Sequence, residues 1–582
     1  MNSVLSVVLP SGRRKLSYDN YLSLVVAWPF IMMVDMTAPK VAVRLLLALV
    51  FLPPLGAAAG AQSASPNTGQ STVQNPVEKA PQKAPQSDTR LADAAMKRDM
   101  AAVRALLDQK TDQKVDVNLP GKDGTPALHW LVRVDDLDSA RLLLRAGADA
   151  TRASRTGVTP LYLACANGNA AMIRLLLDAG ADANAPDPTG ETPLMTASKV
   201  GDLASVKLLL DRGAVVDTRD PEFQQTALMV AVRDNHPDVV RLLVERHADV
   251  NAKTRTGRTP PWILPNSVPG FGHGIGIVRG GLPERGSRYL IPGGLTPLLY
   301  AARDGRVDAA RMLVAAGARL EETDPNGITP LLMAISNDHM DLARFAIEQG
   351  AHVNVVDWYG RTPLWAAVEA RNMDVDNGNF ENGVDREPAL DVIKLLLARG
   401  ADPNTRTKET PPIRRQMLRV TGSLSWVDFT GQTPFLTASL AGDLATMRLL
   451  LDYGADPYIT TFGGTTALMA AAGINWVVDQ TFDEGPKALL AAVTLCYELG
   501  MDVNDVNSMG LTAIHGAANR GSDDIIQFLV QKGAKLDIKD KEGRSPLTWA
   551  EGVFLATHPG KAKPSSMALI KKLMGSETVA QR

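Results

Sequence analysis

Residues 159–191 read TPLYLACANGNAAMIRLLLDAGADANAPDPTGE, and the fold follows from this one stretch. Thr159 stands where a helix N-cap belongs, and Pro160 occupies the first helical position, where its missing N–H costs nothing. A helix of about two turns follows over Leu161 to Ala166, closed by the polar turn Asn167-Gly168-Asn169. Ile173, Leu175, Leu176 and Leu177 lay an apolar pattern on a second helix that stops at Gly180, the residue expected in the left-handed cap. Ala181 to Asn184 and a tight turn, Asp187-Pro188-Thr189-Gly190, lead to the next Thr-Pro. Neither short helix can bury its apolar face alone, so the unit needs a neighbour.

The neighbours are in the sequence. Thr-Pro-Leu or a close variant recurs at Thr159, Thr192, Thr226, Thr296, Thr329, Thr362, Thr433, Thr466, Thr512 and Ser545, with a basic step of 33 residues. Steps of 34, 70, 71 and 46 resolve as the same unit with residues added. Gly124 to His129 supplies an earlier unit with its slot near Pro126, and Thr89 to Asn118 a degenerate first one, making twelve. Stacked about 8–10 Å apart, such units share one continuous core. In one unit His247 replaces the capping glycine, a conformation open to histidine.

This grammar resembles the ankyrin-repeat family, whose 33-residue units combine a turn and two helices under a T-P-L-H-x-A signature. The family's histidine slot holds His129 and His515, and elsewhere Tyr162, Met195, Met229, Leu299, Leu332, Trp365, Leu436, Met469 and Thr548. The resemblance implies an all-α solenoid of about twelve repeats over 89–574, with β-hairpin fingers along one edge. It further implies a curved protein-binding scaffold of the secreted, bacterial type, with no catalysis and no cofactor.

Composition agrees with such a scaffold. A 582-residue chain at about 150 residues per domain would otherwise hold three or four domains. Sixty-one basic against 63 acidic residues give a net charge of −2, which argues against a nucleic-acid partner. Mean hydropathy of −0.05 excludes a multi-span membrane protein. Two cysteines, Cys165 and Cys496, cannot build a disulfide framework, and seven units of about 10 Å keep them apart, so both are expected as buried thiols.

The first ninety residues lie outside the repeat. From Met36, Lys40 and Arg44 precede the apolar Leu45–Leu55 run and the small residues Ala59-Gly60-Ala61, the pattern of a secretory signal over 36–61. Residues 1–35, with their own apolar run from Leu22 to Val34, are either untranslated upstream sequence or part of a longer anchor. Residues 62–88 read as a Gln/Ser/Pro linker and 575–582 as a tail. The expectation is an exported chain, periplasmic or secreted, with no membrane span after processing.

No catalytic or metal constellation is visible. Phe271 to Gly281 is glycine-rich, but its glycines alternate and do not match a phosphate-cradling loop. Asp374, Asp376 and Asp385 suggest a calcium loop, but Gly378 and Asn379 are displaced from the required order. His129 and His515 are expected to satisfy backbone groups near helix caps.

Four insertions interrupt the period. Two, near 252–293 and 405–427, fall at the finger edge and carry +5 and +4; two, near 373–389 and 474–486, fall between paired helices and carry −4 and −3. The candidate recognition surface for an acidic protein segment is therefore Arg279, Arg285, Arg288, Arg414, Arg415 and Arg419, with Phe271, Tyr289, Trp426 and Phe429 beside them. The alternative is that these loops fold back over the repeats with their charges solvated. Trp358 and Tyr359, at a hairpin tip, are a second candidate contact, whereas Trp365 is expected to pack. A polyanion binder and a calcium-dependent hydrolase hidden in the insertions are the other function classes. The repeat signature encodes neither the partner nor the oligomeric state.

Overall fold

The computed structural model describes residues 88–107, 115–257, 293–372, 386–408, 430–475, 484–553 and 560–580. These residues form twenty-four helices and, among them, no strand. The helices make twelve pairs. They are α1 Arg90–Met96 with α2 Met100–Leu107, α3 Ala127–Arg133 with α4 Leu137–Arg145, α5 Pro160–Asn167 with α6 Ala170–Asp178, and α7 Pro193–Val200 with α8 Leu203–Asp211. Next come α9 Ala227–Arg233 with α10 Pro237–Glu245, α11 Pro297–Asp304 with α12 Val307–Ala315, α13 Pro330–Ser336 with α14 Met340–Glu348, and α15 Pro363–Arg371 with α16 Glu387–Ala398. The last four are α17 Pro434–Ala441 with α18 Leu444–Asp452, α19 Ala467–Ala472 with α20 Pro486–Glu498, α21 Ala513–Arg520 with α22 Asp523–Gln531, and α23 Pro546–Gly552 with α24 Pro564–Ala580. The final helix continues through Ala580, into the stretch read from sequence as a tail.

Each first helix packs on the first helix of the next pair, and each second helix on the next second helix, from repeat 1 to repeat 12. The apolar residues of both rows join in one cluster running from Leu91 to Ile570. The local signals act as their chemistry requires. The hydroxyls of Thr159, Thr192, Thr226, Thr296, Thr329, Thr362, Thr433 and Thr466 each accept the backbone N–H three residues on. His247 does adopt the left-handed conformation, at φ 62°.

A second periodic device joins the repeats. Asn184 donates to the Gly213 carbonyl at 2.9 Å and accepts the Val215 N–H at 2.8 Å. Asn118, Asn251, Asn354, Asn404 and Asn504 repeat that paired bond to the following repeat. Three of these rungs span insertions: Asn251 reaches residues 317 and 319, Asn354 reaches 400 and 402, and Asn404 reaches 454 and 456. The rungs therefore keep the stack closed across these three insertions.

Candidate binding edge

An ordinary finger is closed by a polar side chain at the first position of its turn. Asp187 N–H donates to the Glu191 carbonyl, while its carboxylate accepts the N–H groups of Thr189 and Glu191. Thr461 and Thr465 close their finger in the same way, again four residues apart. Neighbouring tips are tied by single backbone bonds: Arg255 N to Phe223 O at 2.7 Å, Trp358 N to Asn326 O at 3.1 Å, Lys408 N to Tyr359 O at 2.7 Å and Phe462 N to Thr430 O at 3.0 Å. Further along, Ser508 donates to Gly463 and Lys541 to Met509. The tips are thus fixed side by side even though none is a strand.

The same clasp locates the finger insertions. Thr254 N–H bonds the Leu295 carbonyl, and the Leu295 N–H returns to Thr254 Oγ1 at 2.8 Å. Thr407 and Gln432 repeat the exchange, at 3.0 and 2.9 Å. Both insertions therefore sit inside a turn. Residues 252–254 and 405–407, counted above with the insertions, belong to the repeats.

This changes the reading of two basic residues. Lys253 Nζ lies 2.6 Å from Glu322 and donates to the Thr323 carbonyl. Arg406 donates to the Gly431 and Thr460 carbonyls and stacks 4.3 Å over the Phe462 ring. Both tie one finger to the next and subtract from the charge offered to a partner. Arg279, Arg285, Arg288, Arg414, Arg415, Arg419, Phe271, Tyr289, Trp426 and Phe429 lie outside the described residues.

Trp358 projects from its tip, 42% exposed, but Tyr359 is only 5% exposed. The expectation of a contact at Tyr359 is corrected: adjacent tip residues point to opposite sides, and the Tyr359 ring lies 5.8 Å from the Arg361 guanidinium. Trp365 packs as expected, 2% exposed. Two tip residues were missed. Phe223 and Phe462 are 55% and 56% exposed, and both adjoin an insertion. The available signal was an aromatic residue inside a turn otherwise built from Asp, Pro, Thr and Gly.

The opposite edge holds a buried polar network. Arg371, at the end of α15, donates to Asp443 at 2.8 Å and to the Arg386 carbonyl. Asp443 also caps α18, accepting the N–H and hydroxyl of Thr446, and receives a bond from Asn372. Arg386 in turn pairs with Glu484 at 3.0 Å. The residues at which the two acidic insertions rejoin the stack therefore meet. Residues 386–389, read as insertion, include the start of α16.

The remaining candidates resolve quietly. Cys165 and Cys496 are buried free thiols, and burial pushes the Cys496 thiol up to about 12. His129 donates to the Val158 carbonyl of the next finger at 2.9 Å. His515 Nδ1 accepts the Thr512 N–H at its own helix cap. Asp374, Asp376, Asp385 and the glycine-rich 271–281 stretch lie outside the described residues, among which no cluster of His, Cys, Asp or Glu could hold a metal. No helix among the described residues is long and apolar enough to cross a membrane.

Comparison with known proteins agrees with this architecture. A family model of three-copy ankyrin repeats matches residues 147–220, 298–407 and 486–552, a second, many-copy model matches 209–260, and a single-repeat model matches 430–462. The chain belongs to the ankyrin-repeat family. Its relatives include the B-cell lymphoma 3 protein homolog of Mus musculus, 34% identical over 120 residues, which are 20% of this chain and 25% of that protein. The Homo sapiens B-cell lymphoma 3 protein is 32% identical over 120 residues, 20% of this chain and 24% of that one. Alpha-latrocrustotoxin-Lt1a of Latrodectus tredecimguttatus is 28% identical over 171 residues, 29% of this chain and 10% of the toxin. The matches thus span a quarter or less of these relatives. Among solved structures, the ankyrin repeat domain of Bcl-3 is 26% identical, covering 44% of this chain and 98% of that one with a TM-score of 0.34. The human ASB11 ankyrin repeat domain is 24% identical, covering 45% and 98%, with a TM-score of 0.33. In this ankyrin-repeat chain the signature histidine survives only at His129 and His515 among the slots traced above, and bulk fills most of the others.

Proposed function

We propose that the protein is a non-enzymatic scaffold, exported from the cell, that holds a partner protein along its finger edge and the adjoining face of the first helices. Ankyrin repeats generally serve protein binding, and the observation that carries the reading here is the set of solvent-facing aromatics, Phe223, Trp358 and Phe462, on tips held in place by backbone bonds. Large apolar rings left in water on a rigid edge are typical of contact anchors. All three adjoin the fingers that carry the basic insertions, which supports a partner presenting an acidic segment with apolar residues. Export rests on the sequence pattern over 36–61.

The test is a photo-crosslinking residue placed at Ser508, next to the Phe462 tip, in the full chain expressed in its own cells. One defined crosslinked protein is expected, and Phe223→Ser, Trp358→Ser and Phe462→Ser together should remove it while the melting temperature is unchanged. A crosslinked product that survives the triple substitution would refute the finger-edge reading. N-terminal sequencing of the chain recovered outside the cytoplasm tests export.

A further inference from the structure

Four residues stand seven positions after their capping threonine on consecutive first helices: Arg233 on α9, Arg303 on α11, Ser336 on α13 and Glu369 on α15. In repeats 5 and 6 the charge at this slot is satisfied by the next residue along the chain. Arg233 pairs with Asp234 at 2.9 Å and Arg303 with Asp304 at 2.8 Å. In repeat 8 the sign is reversed and the neighbour is lost, because Glu369 is followed by Ala370. Glu369 is half-buried, and its Oε1 is sealed from solvent without a hydrogen-bond partner. Ser336 Oγ, in the same slot one repeat earlier, is also buried and unpartnered.

Among the described residues, no side chain bonded to Glu369 supplies a cation. Helices α13 and α17, on either side of it, carry no charged residue. On α16, Lys394 is bonded to Asp391 at 3.2 Å, and Glu387 is of like charge. On its own helix Arg371 is committed to Asp443. The charged groups acting on Glu369 are Arg361 and Asp357, which are bonded to each other at 2.7 Å and so largely cancel. Glu369 also lies in the last turn of α15, where the helix's partial negative charge favours a cation. A buried carboxylate oxygen without a donor is costly, and such groups concentrate at functional sites.

We infer that Glu369, with Ser336 in the equivalent slot of the preceding repeat, is a subsite on the first-helix face of repeats 7 and 8 that takes the cationic side chain, Lys or Arg, of a bound protein. It rests on the scaffold reading and adds to it a basic residue on the partner, placed away from the acidic segment that meets the fingers. The ammonium or guanidinium donates to the carboxylate through Oε2, the oxygen that is not sealed, filling the role that the Asp–Arg pairs fill within repeats 5 and 6. The ligand takes the ionised carboxylate. Burial holds Glu369 up at about 7, so binding strengthens as pH rises through that value and releases a proton below it.

The probe is N-acetyl-Gly-Arg-Gly-amide, with the citrulline analogue as the uncharged control, titrated into the full chain at pH 8 and pH 6. The readout is the indole N–H resonance of Trp365, one helical turn from Glu369, assigned with Trp365→Phe. The arginine peptide should shift this resonance and saturate in the millimolar range, expected for a single contact. Binding should weaken about tenfold from pH 8 to pH 6, the change in ionised fraction for a group titrating near 7. Glu369→Gln, which keeps shape and size, should abolish the shift, as should Ala370→Lys, which supplies the cation from the neighbouring position. A citrulline shift equal to that of arginine, a shift retained in Glu369→Gln, or no shift up to about 50 mM would overturn the subsite. Loss of the subsite with the finger crosslink intact refutes this inference alone; loss of the finger crosslink specificity refutes the scaffold reading.

Discussion

Replacing Asn404 with alanine removes both bonds of the rung that joins repeats 8 and 9 across the second finger insertion. Its Nδ2 donates to the Gly454 carbonyl at 3.0 Å and its Oδ1 accepts the Asp456 N–H at 2.7 Å. Each neutral bond contributes about 0.5–1.5 kcal/mol net, so Asn404→Ala is expected to weaken this interface by about 2 kcal/mol. In a linear stack that loss falls on one interface and frees the repeats beyond it. Hydrogen exchange followed by mass spectrometry should show amides of α18 exchanging about 30-fold faster, with those of α6 unchanged. Asn404→Asp keeps the acceptor and loses the donor, and should cost about half as much. The chain already contains that half-rung: Asp217 accepts the Asp249 N–H at 2.9 Å but has no N–H to donate. The converse is available at Glu321, which accepts the His352 N–H at 2.8 Å and likewise has nothing to donate to the Gly350 carbonyl. Glu321→Asn should gain about 1 kcal/mol at the interface of repeats 6 and 7. Exchange accelerated less than about 2-fold by Asn404→Ala, or as strongly by the aspartate as by the alanine, would refute the rung as a repeat-to-repeat tie.

Asp443→Asn leaves the buried Arg371 guanidinium without its counter-charge and should cost about 3–5 kcal/mol, measured as an earlier urea transition for repeats 8 to 10. His515 gives a pH dependence of known sign. Burial drops its pKa to about 4 from an unfolded value near 6.5, and its Nδ1 accepts the Thr512 N–H only when unprotonated. Its contribution is therefore complete above about pH 6.5 and is lost as pH falls towards 4, about 3 kcal/mol in all. Urea unfolding of His515→Gln, whose side chain can accept the same bond without titrating, should lose less stability between pH 7 and pH 4.5 than the parent chain does. Arg414→Glu, Arg415→Glu and Arg419→Glu together should abolish salt-sensitive binding of the crosslinked partner, and unchanged affinity at low and high salt would count against the basic insertions.

The repeats were legible because their signals are local. A threonine hydroxyl caps the N–H three residues on, proline suits the first helical turn, and glycine takes the left-handed cap, so one 33-residue stretch states its own helices without reference to the rest. Trp365 was readable as core for the same reason, since it occupies a slot filled by Met or Leu in other repeats. Tyr359 and Trp358 were not separable. Both stand at a tip of turn residues, and they differ only once the tip is seated between the fingers of Asn326 and Lys408, where Tyr359 is buried and Trp358 is left in water. Lys253 and Arg406 read as free charge because their partners, Glu322 and the Thr460 carbonyl, lie dozens of residues away.

Taken alone, the sequence determined the unit, its number and its succession, because caps, turns and apolar periodicity act over a few residues. The tertiary structure decided where each insertion begins, which tip residues face water and which charges are already spent. Those outcomes depend on contacts between successive repeats, such as Thr254 to Leu295, Thr407 to Gln432 and Arg371 to Asp443. The chain order does not specify such pairings, because their geometry exists only once one repeat has packed on the next.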